Sequence, residues 1–434
     1  MTMTGDDAVQ SAAGRTGDEP FPSDPEAVAA VRAAAQAAHR AAGSLASAPD
    51  EAISGALRAM AGRLGQATGA ITAANEDDMR AAAEAGLTGA LMDRLRLDGG
   101  RLTAMADQLL ALAGVPAEPA SRVVRELPGD LVAQEWRRPV GVIGANFEAR
   151  PNVVADIASQ LIKSRNAGVL RTGSAALRSA IALADEVVSP ALADAGLDPE
   201  AIQLIRVPGQ AAAYALVGEP GLIPLVILRG SGASTRALAF AAARRGVRTL
   251  AHADGGAVIY LDAAADRERA MRLIETSLDR LGVCNRLNLL LVHGDLWDEV
   301  VPEVTALLDG LGVAASLPPH RHPLGHEWAL DTGNEATVTI ARAAHPAAAA
   351  GIANDETSGL AAAIVTEDRE AAGLFLSAYA GTGAFWNATP RLLDGFKLLA
   401  VPETGINIDK VPGPRGPVTF RDLYLRQFVI VPRP

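Results

Sequence analysis

Short apolar segments alternate with alanine-rich, helix-like segments along most of this chain of 434 residues. In the first half the apolar segments fall at residues 140–144, 167–170, 202–207 and 225–228. Each is followed by a stretch with helical periodicity, which predicts strands connected by helices of about 10 to 15 residues. Such crossovers return the chain to the same edge of a sheet, so the pattern predicts an α/β fold built on parallel sheets.

The second half continues the alternation, whereas the N-terminal part does not. Residues 24–112 have a helical pattern throughout, and the polar residues 75–77 are predicted to connect two helices. Residues 1–23 hold too few apolar side chains to bury, which predicts a disordered tail. The predicted second-half elements are strands at 258–261, 289–292, 362–365, 383–386 and 423–431 and helices at 264–281 and 297–308.

Composition and charge argue against several classes of function. The net charge of -11 argues against nucleic acid as a partner, because a phosphate backbone attracts basic surfaces. With one cysteine the chain has no intrachain disulfide, and its histidines do not follow a metal-binding spacing. No apolar run reaches the roughly 18 residues of a membrane helix, and the N-terminus does not resemble a signal peptide. We therefore expect a cytoplasmic protein that binds no membrane and holds no metal.

The cysteine is Cys284, in a predicted turn between a helix and an apolar strand. A lone cysteine is most often a small buried apolar residue. Here Gly282 and the polar Asn285 favour a turn that exposes the sulfur, where backbone N–H groups could hold a thiolate and an oxyanion. Cys284 is therefore a candidate nucleophile.

Glycine-containing turns at residues 171–174 and 229–232 follow predicted strands and open predicted helices. Neither has the G-x-G-x-x-G spacing, so ordinary turn chemistry explains them as well as phosphate binding does. Arg150, Arg171 and Arg229 also follow predicted strands, and the carboxyl ends of parallel strands share one edge. They indicate a site for a small anionic molecule, although ion pairing with neighbouring carboxylates explains the same arginines.

Several segments together resemble the γ-glutamyl phosphate reductase family of the aldehyde dehydrogenase superfamily. The most specific is Arg138-Pro-Val-Gly-Val-Ile-Gly144 followed by Phe147-Glu-Ala-Arg-Pro-Asn152. Further matches are His252-Ala-Asp-Gly255, Val283-Cys-Asn285, Leu290-Leu-Val-His293, Ile364-Val-Thr-Glu-Asp368 and Gly413-Pro-Arg-Gly-Pro-Val418. The resemblance extends over nearly the whole chain from residue 25 onward.

The resemblance implies an aldehyde dehydrogenase-like α/β fold with a Rossmann-type cofactor domain, an α/β catalytic domain and a small β-flap for oligomerisation. The implied domain boundaries are 24–127 and 140–245 with a return segment 396–416 for the NADP-binding domain, 246–395 for the catalytic domain, and 128–139 with 417–434 for the flap. It also implies NADPH as the cofactor and a homo-oligomer of two or four copies.

The resemblance further implies roles for individual residues. Cys284 falls on the family's nucleophile, and Asn152 on the asparagine whose amide stabilises the oxyanion, with the Cys284 N–H as a second donor. The implied cofactor contacts are Arg171, Thr172, Gly173, Ser174, Gly230, Ser231 and Gly255. The implied substrate contacts are Glu148, Arg150, Asn285 and Arg286.

One absence indicates the type of reaction. Members of the superfamily that hydrolyse a thioester carry a glutamate base where this chain has Ala253. Without that base water is poorly activated. The resemblance therefore implies that a small anionic acyl phosphate forms a thioester on Cys284, which hydride reduces to the aldehyde. Because acyl phosphates are labile, an amino-acid kinase that supplies the substrate is an expected partner.

Other positions depart from the family pattern. Arg286 and Asn288 replace the family's alanine and glutamate, and Leu360 replaces a histidine. Arg286 and Leu360 favour a modified substrate. The alternatives are a thioester of CoA or of a carrier protein as the substrate, or a catalytically poor homologue that acts as a binding partner. The family's Glu-Tyr-Leu-Asp segment aligns with Glu327 or Glu335, one of which would contact the cofactor.

Overall fold

The computed structural model describes residues 21–433 apart from positions 88, 231, 253, 332 and 412. The predicted tail at 1–23 lies almost entirely outside these residues. The helices are α1 Pro25–Ser47, α2 Asp50–Gln66, α3 Thr68–Glu84, α4 Gly89–Leu95, α5 Gly99–Gly114, α6 Val153–Lys163, α7 Leu177–Leu183, α8 Ser189–Asp194, α9 Gln210–Leu216, α10 Gly232–Arg244, α11 Arg267–Thr276, α12 Trp297–Gly310, α13 Pro346–Glu356, α14 Arg369–Ala378 and α15 Gly395–Leu399.

The strands occupy the positions between these helices, as the alternating pattern predicts. They are β1 Ser121–Leu127, β2 Leu131–Pro139, β3 Val142–Phe147, β4 Ala167–Thr172, β5 Ile202–Leu204, β6 Leu225–Arg229, β7 Arg248–His252, β8 Ala257–Leu261, β9 Leu287–His293, β10 Ala314–Ser316, β11 Thr337–Ala343, β12 Ala361–Val365, β13 Gly383–Trp386, β14 Gly405–Asn407, β15 Gly416–Val418 and β16 Tyr424–Pro432.

The first large sheet has the strand order β5-β4-β3-β6-β7, and all its pairings are parallel. From β3 the chain passes to β4 and β5 on one side and then returns to add β6 and β7 on the other. This reversal opens a crevice at the carboxyl ends of the central strands, which is where open α/β sheets bind ligands. Phe147, Thr172 and Arg229 mark that edge, since they end β3, β4 and β6.

The second large sheet, in the order β10-β11-β9-β8-β12-β13, is also parallel. Its central strands are almost wholly buried, which explains their continuous apolar sequences. The sequence pattern did not predict β7 or β11. In β11 the β-branched segment Thr337-Val-Thr-Ile340 itself favours a strand, and the strand is buried between β9 and β10.

The ends of the observed sheets differ from the expected domain boundaries. β7 pairs with β6, so the first sheet extends to His252 and does not end at residue 245. The predicted flap is a three-stranded antiparallel sheet in the order β1-β2-β16, and it begins at Ser121 and not at residue 128. Residues 418–423 belong with the first sheet, because Phe420 and Leu423 are buried in its core.

The N-terminal helices cover one face of the first sheet. α1 begins where the Asp24 side chain accepts a hydrogen bond from the Glu26 N–H, which replaces a missing helical partner. Its buried stripe consists mostly of alanines with Val31 and Leu45, and side chains this small let the helix approach β4 closely. Among the described residues, no helix is both long enough and apolar enough to cross a bilayer.

Residues 75–77 lie within α3, so the prediction that they connect two helices is wrong. The Asn75 amide donates to Leu95 O at 2.8 Å and to Ser179 Oγ at 3.1 Å, and its oxygen accepts from the Leu97 N–H at 2.7 Å. Asn75, whose polar side chain suggested a loop, therefore connects α3 by hydrogen bonds to α7 and to the end of α4.

Replacing Asn75 with alanine should lower the free energy of unfolding by about 2–3 kcal/mol, because it leaves the buried Leu97 N–H and Leu95 carbonyl without their partner. Glu76→Ala on the exposed side of the same helix is the matched control and should change it by at most about 0.5 kcal/mol. The guanidinium unfolding midpoints of the two variants test this. Equal shifts would show that the Asn75 contacts contribute nothing beyond the helix itself.

Candidate active site

Cys284 lies in the turn before β9, and its carbonyl accepts a hydrogen bond from the Gly256 N–H at 2.7 Å. A Cβ at Gly255 would lie 2.7 Å from the Cys284 carbonyl oxygen and 3.0 Å from its Cα. Gly255 is thus required for this close approach of two backbones, which seats the cysteine between β8 and β9. The predicted cofactor contact of Gly255 stays a prediction, although the residue does line the cleft beside Cys284.

Asn285 and Arg286 are not among the residues that line the cleft, and substrate contact by either stays a prediction. The Asn285 amide donates to Leu393 O at 3.0 Å and its oxygen accepts from Arg391. Arg286 is completely buried and donates to Glu335 O at 2.6 Å and to the Thr337 carbonyl at 3.2 Å. The hydrogen bonds of both side chains hold the turn that carries Cys284 against neighbouring segments.

The cleft beside Cys284 is lined by guanidinium groups from three separate parts of the chain. Arg94 at the end of α4 donates to Gly282 O at 2.8 Å, and Arg150 and Arg229 follow β3 and end β6. The Nε of Arg229 is buried without a hydrogen-bond partner in the described residues. Such a cluster attracts an anion and stabilises negative charge that develops at Cys284.

Carboxylates line the same cleft opposite the arginines. Glu148, Asp254 and Glu327 are among its lining residues. Glu148 accepts a hydrogen bond from Ser234 Oγ at 2.8 Å, and a Cβ at Gly230 would lie 2.8 Å from its carboxyl carbon. Glu148 and Arg150 are therefore both at the cleft, as expected, whereas substrate contact by either stays a prediction.

The electrostatics of the cleft keep the thiol protonated at rest. Burial raises the pKa of Cys284, whereas Arg150 and Arg229 lower it and Glu327 raises it further. Burial and the neighbouring Arg229 and Arg94 guanidinium groups lower the pKa of Arg150 to about 9. A group that accepts the thiol proton is therefore required before Cys284 can attack a carbonyl.

Further buried titratable groups lie close to the arginines. Burial raises the pKa of Asp156 to about 6, and burial together with Asp394 raises the pKa of Glu403 to about 7. Burial and Arg229 lower the pKa of His252 to about 4, so this imidazole is neutral, and its Nδ1 lies 2.7 Å from Ile406 O. His252 is thus a packed histidine at the cleft wall.

Asn152 is not among the residues that line the cleft, and its expected oxyanion role stays a prediction. It precedes the first residue of α6, and its amide donates to the Asp156 carboxylate one turn later at 2.9 Å. Arg150, two residues earlier, does line the cleft.

The edge of the first sheet could accommodate a dinucleotide. Arg171 is buried and donates to Asn146 Oδ1 at 2.9 Å and to Gly209 O at 2.6 Å, but its Nε has no partner in the described residues. Gly173 and the exposed Ser174 follow it, and no side chain crowds Gly173. Thr172 is buried, as Arg171 is, and its cofactor contact stays a prediction. Ser231 and Ala253 lie outside the described residues.

Of the two glutamates that the sequence left open, the structure places Glu327 in the cleft. A Cβ at Gly255 would lie 2.6 Å from Glu327 Oε1, and the Gly255 N–H donates to this carboxylate. Glu335 instead accepts a hydrogen bond from the Gly333 N–H at 2.9 Å in the surface loop.

Sequence reasoning did not single out Arg94, Asp156 or Glu403 as site residues. Arg94 lies in the helical N-terminal region, far from any strand end, and only folding brings α4 against the cysteine turn. Glu403 was visible only as part of a segment that differs from the family motif. Arg229, in contrast, could be found because it directly follows an apolar strand at a glycine turn.

Comparisons with known proteins agree with this arrangement. The model of the aldehyde dehydrogenase family matches residues 20–322. The chain is 34% identical over 407 residues to γ-glutamyl phosphate reductase of Clavibacter michiganensis, covering 91% of this chain and 92% of the relative. It is 33% identical over 391 residues to the same enzyme of Neisseria meningitidis, covering 86% of this chain and 91% of the relative.

The fold also matches a solved structure. The γ-glutamyl phosphate reductase of Thermotoga maritima superimposes with a TM-score of 0.81 and 26% identity, covering 92% of this chain and 98% of that one. The chain belongs to the aldehyde dehydrogenase family and, within it, to the γ-glutamyl phosphate reductases.

Proposed function

We propose that the protein reduces γ-glutamyl phosphate, or a closely related acyl phosphate, to the aldehyde with NADPH and releases phosphate. The observation that carries the proposal is the placement of Cys284 in a cleft with Arg94, Arg150 and Arg229. A doubly charged acyl phosphate matches this cationic lining, and the thiol lies where its carbonyl would be attacked. The names of the relatives supply the substrate class.

The chain's own residues carry out the acyl transfer. The Cys284 thiolate attacks the carbonyl and forms a thioester as the phosphate leaves, and the arginines stabilise the negative charge on both groups. NADPH, when bound, supplies the hydride that reduces the thioester. The resulting thiohemiacetal collapses to the aldehyde and returns Cys284 to the thiolate.

The residues at the edge of the first sheet fit a dinucleotide. Arg171, with its buried unpartnered Nε, and Gly173 and Ser174 after it would hold the adenosine side. The family resemblance assigns Gly230 and Ser231 to the pyrophosphate. At Gly230 the Glu148 carboxylate leaves no room for a side chain. The additional phosphate of NADPH is the reason for expecting Arg171 to favour it over NADH.

The flap sheet is proposed as the contact between copies of the chain. Val123, Leu425, Phe428 and Ile430 are large apolar side chains on its strands, and each is more than half exposed. Val123 and Leu425 lie on one face of this sheet and Phe428 and Ile430 on the other. Exposed apolar side chains of this kind are typical of subunit interfaces. We expect a dimer or tetramer in the cytoplasm, supplied with its labile substrate by an amino-acid kinase.

The test of the proposed function runs the reaction in reverse. Purified protein is given glutamate-5-semialdehyde, NADP⁺ and phosphate, and NADPH formation is followed by absorbance. Turnover that requires phosphate and is faster with NADP⁺ than with NAD⁺ is the expected result. Turnover that requires CoA instead would identify a thioester reductase, and no turnover with intact NADPH binding would mean that the acyl group is different.

A further inference from the structure

We propose that Glu327 is the proton-transfer group of the reaction, taking the proton from Cys284 Sγ and passing it to the departing phosphate. The proposal rests on the proposed function for the identity of the leaving group. The position that holds the glutamate base in hydrolytic relatives is alanine in this chain, at residue 253. Glu327 arrives at the same turn from a different segment, between α12 and β11.

The Glu327 carboxylate and the Cys284 backbone both lie against Gly255. A Cβ at Gly255 would lie 2.6 Å from Glu327 Oε1 and 3.0 Å from Cys284 Cα, and both residues line the same cleft. A single glycine therefore separates the acid–base group from the cysteine backbone. The Gly255 N–H donates to the carboxylate and fixes its orientation.

The backbone on both sides of Glu327 is clamped by one buried side chain. The Asn288 amide of β9 donates to His326 O at 2.8 Å, and its oxygen accepts from the Trp328 N–H at 3.1 Å. The Trp328 ring N–H in turn donates to Thr339 Oγ1 at 2.9 Å. Glu327 is thus fixed to the strand that directly follows the nucleophile turn, which is the rigidity that a proton-transfer group needs.

Burial and neighbouring charges set the pKa of the Glu327 carboxyl. Burial and Asp254 raise its pKa, whereas the Gly255 N–H and the Arg94 guanidinium lower it. The neutral His252, the buried Arg286 and Cys284 are further titratable groups close to it. A carboxyl with a raised pKa is a better base toward a thiol than an ordinary carboxyl is.

Atoms and electrons balance in the proposed step. The Glu327 carboxylate accepts the Sγ proton, and a sulfur lone pair forms the S–C bond. The C–O bond to phosphate breaks with its electron pair on oxygen, and the proton moves from Glu327 to that oxygen, giving hydrogen phosphate. After reduction the thiohemiacetal anion releases aldehyde and thiolate, which Glu327 reprotonates with a solvent proton.

The test uses the fact that Cys284 is the chain's one cysteine, so alkylation by iodoacetamide reports its thiolate alone. If Glu327 exchanges a proton with Sγ, the two groups titrate as a pair, and the alkylation rate of the native protein rises in two steps with pH. Glu327→Gln should lose the step that belongs to Glu327, whereas the effects of Arg150 and Glu403 on the thiol remain. Glu335→Gln, in the same loop but outside the cleft, is the matched control and should keep both steps.

Activity provides the second measurement. Glu327→Gln should slow thioester formation from the acyl phosphate by about 10²- to 10⁴-fold with an unchanged Kd for NADPH, and Glu327→Asp should restore part of the rate.

A weakened Kd with unchanged acylation would instead identify a cofactor contact and overturn the proposal. Identical alkylation profiles in native protein and Glu327→Gln would overturn it too. If the native protein does not use acyl phosphates, the alkylation profiles still decide the role of Glu327.

Discussion

Replacing Cys284 with alanine should abolish aldehyde formation, with kcat lower by about 10⁴-fold or more, because the covalent intermediate can no longer form. Cys284 is half-buried, and its carbonyl, not its thiol, makes the structural hydrogen bond to Gly256. The substitution should therefore leave the unfolding midpoint and the Kd for NADPH nearly unchanged. The measurement is NADPH formation from glutamate-5-semialdehyde in the presence of phosphate.

The same experiment distinguishes an enzyme from a homologue that only binds. Residual turnover above about 1% of the native rate would contradict a thioester mechanism. Cys284→Ser is the conservative control, since a serine hydroxyl preserves the packing but is a far weaker nucleophile here. It should be as inactive as the alanine variant.

Replacing Arg150 with glutamine should lower kcat/KM by about 10²- to 10³-fold, because it removes a preorganised charge from the site where an oxyanion and a phosphate develop. The Arg150 guanidinium also lowers the pKa of the Cys284 thiol. Its loss should therefore raise that pKa and slow iodoacetamide alkylation near pH 8, a readout that does not require the substrate. The expected decreases in the two rates have the same cause.

Asn152 provides the discriminating comparison. Its amide is bonded to Asp156 and not directed into the cleft, so Asn152→Ala should impair turnover less than Arg150→Gln does. Arg58→Gln, which removes an exposed arginine paired with Glu51, should have no effect on either rate. If Asn152→Ala is the more damaging substitution, the oxyanion role that the family resemblance implies belongs to Asn152 after all.

The departures from the family pattern acquire a structural explanation. Arg286 and Asn288 looked like changes in the substrate pocket because they lie two and four residues after the nucleophile. Strand alternation would place residues 284, 286 and 288 on one face, but β9 begins only at Leu287, so this alternation does not extend back to Cys284. Arg286 bonds the backbone of residues 335 and 337, and Asn288 bonds residues 326 and 328. Arg286 and Asn288 therefore position the loop that carries Glu327, and their identities give little information about the substrate.

Asn75 looked like a loop residue because polar residues favour loops on average, yet it is buried in α3 and satisfied by Leu95, Leu97 and Ser179. At this position tertiary contacts outweigh a local preference of less than about 1 kcal/mol per residue.

The parallel α/β fold followed from the sequence alone, as did Cys284 as the candidate nucleophile and an anionic molecule as the expected ligand. Apolar periodicity is a local property, and strand ends that share one edge bring Arg150, Arg171 and Arg229 to one side wherever the loops go. Only the tertiary structure decided that Arg94 and Glu327 join Cys284 at the cleft while Asn285 and Arg286 do not line it. These side chains come from segments remote in sequence, and their directions depend on packing and hydrogen bonds that form only when the sheets and helices assemble.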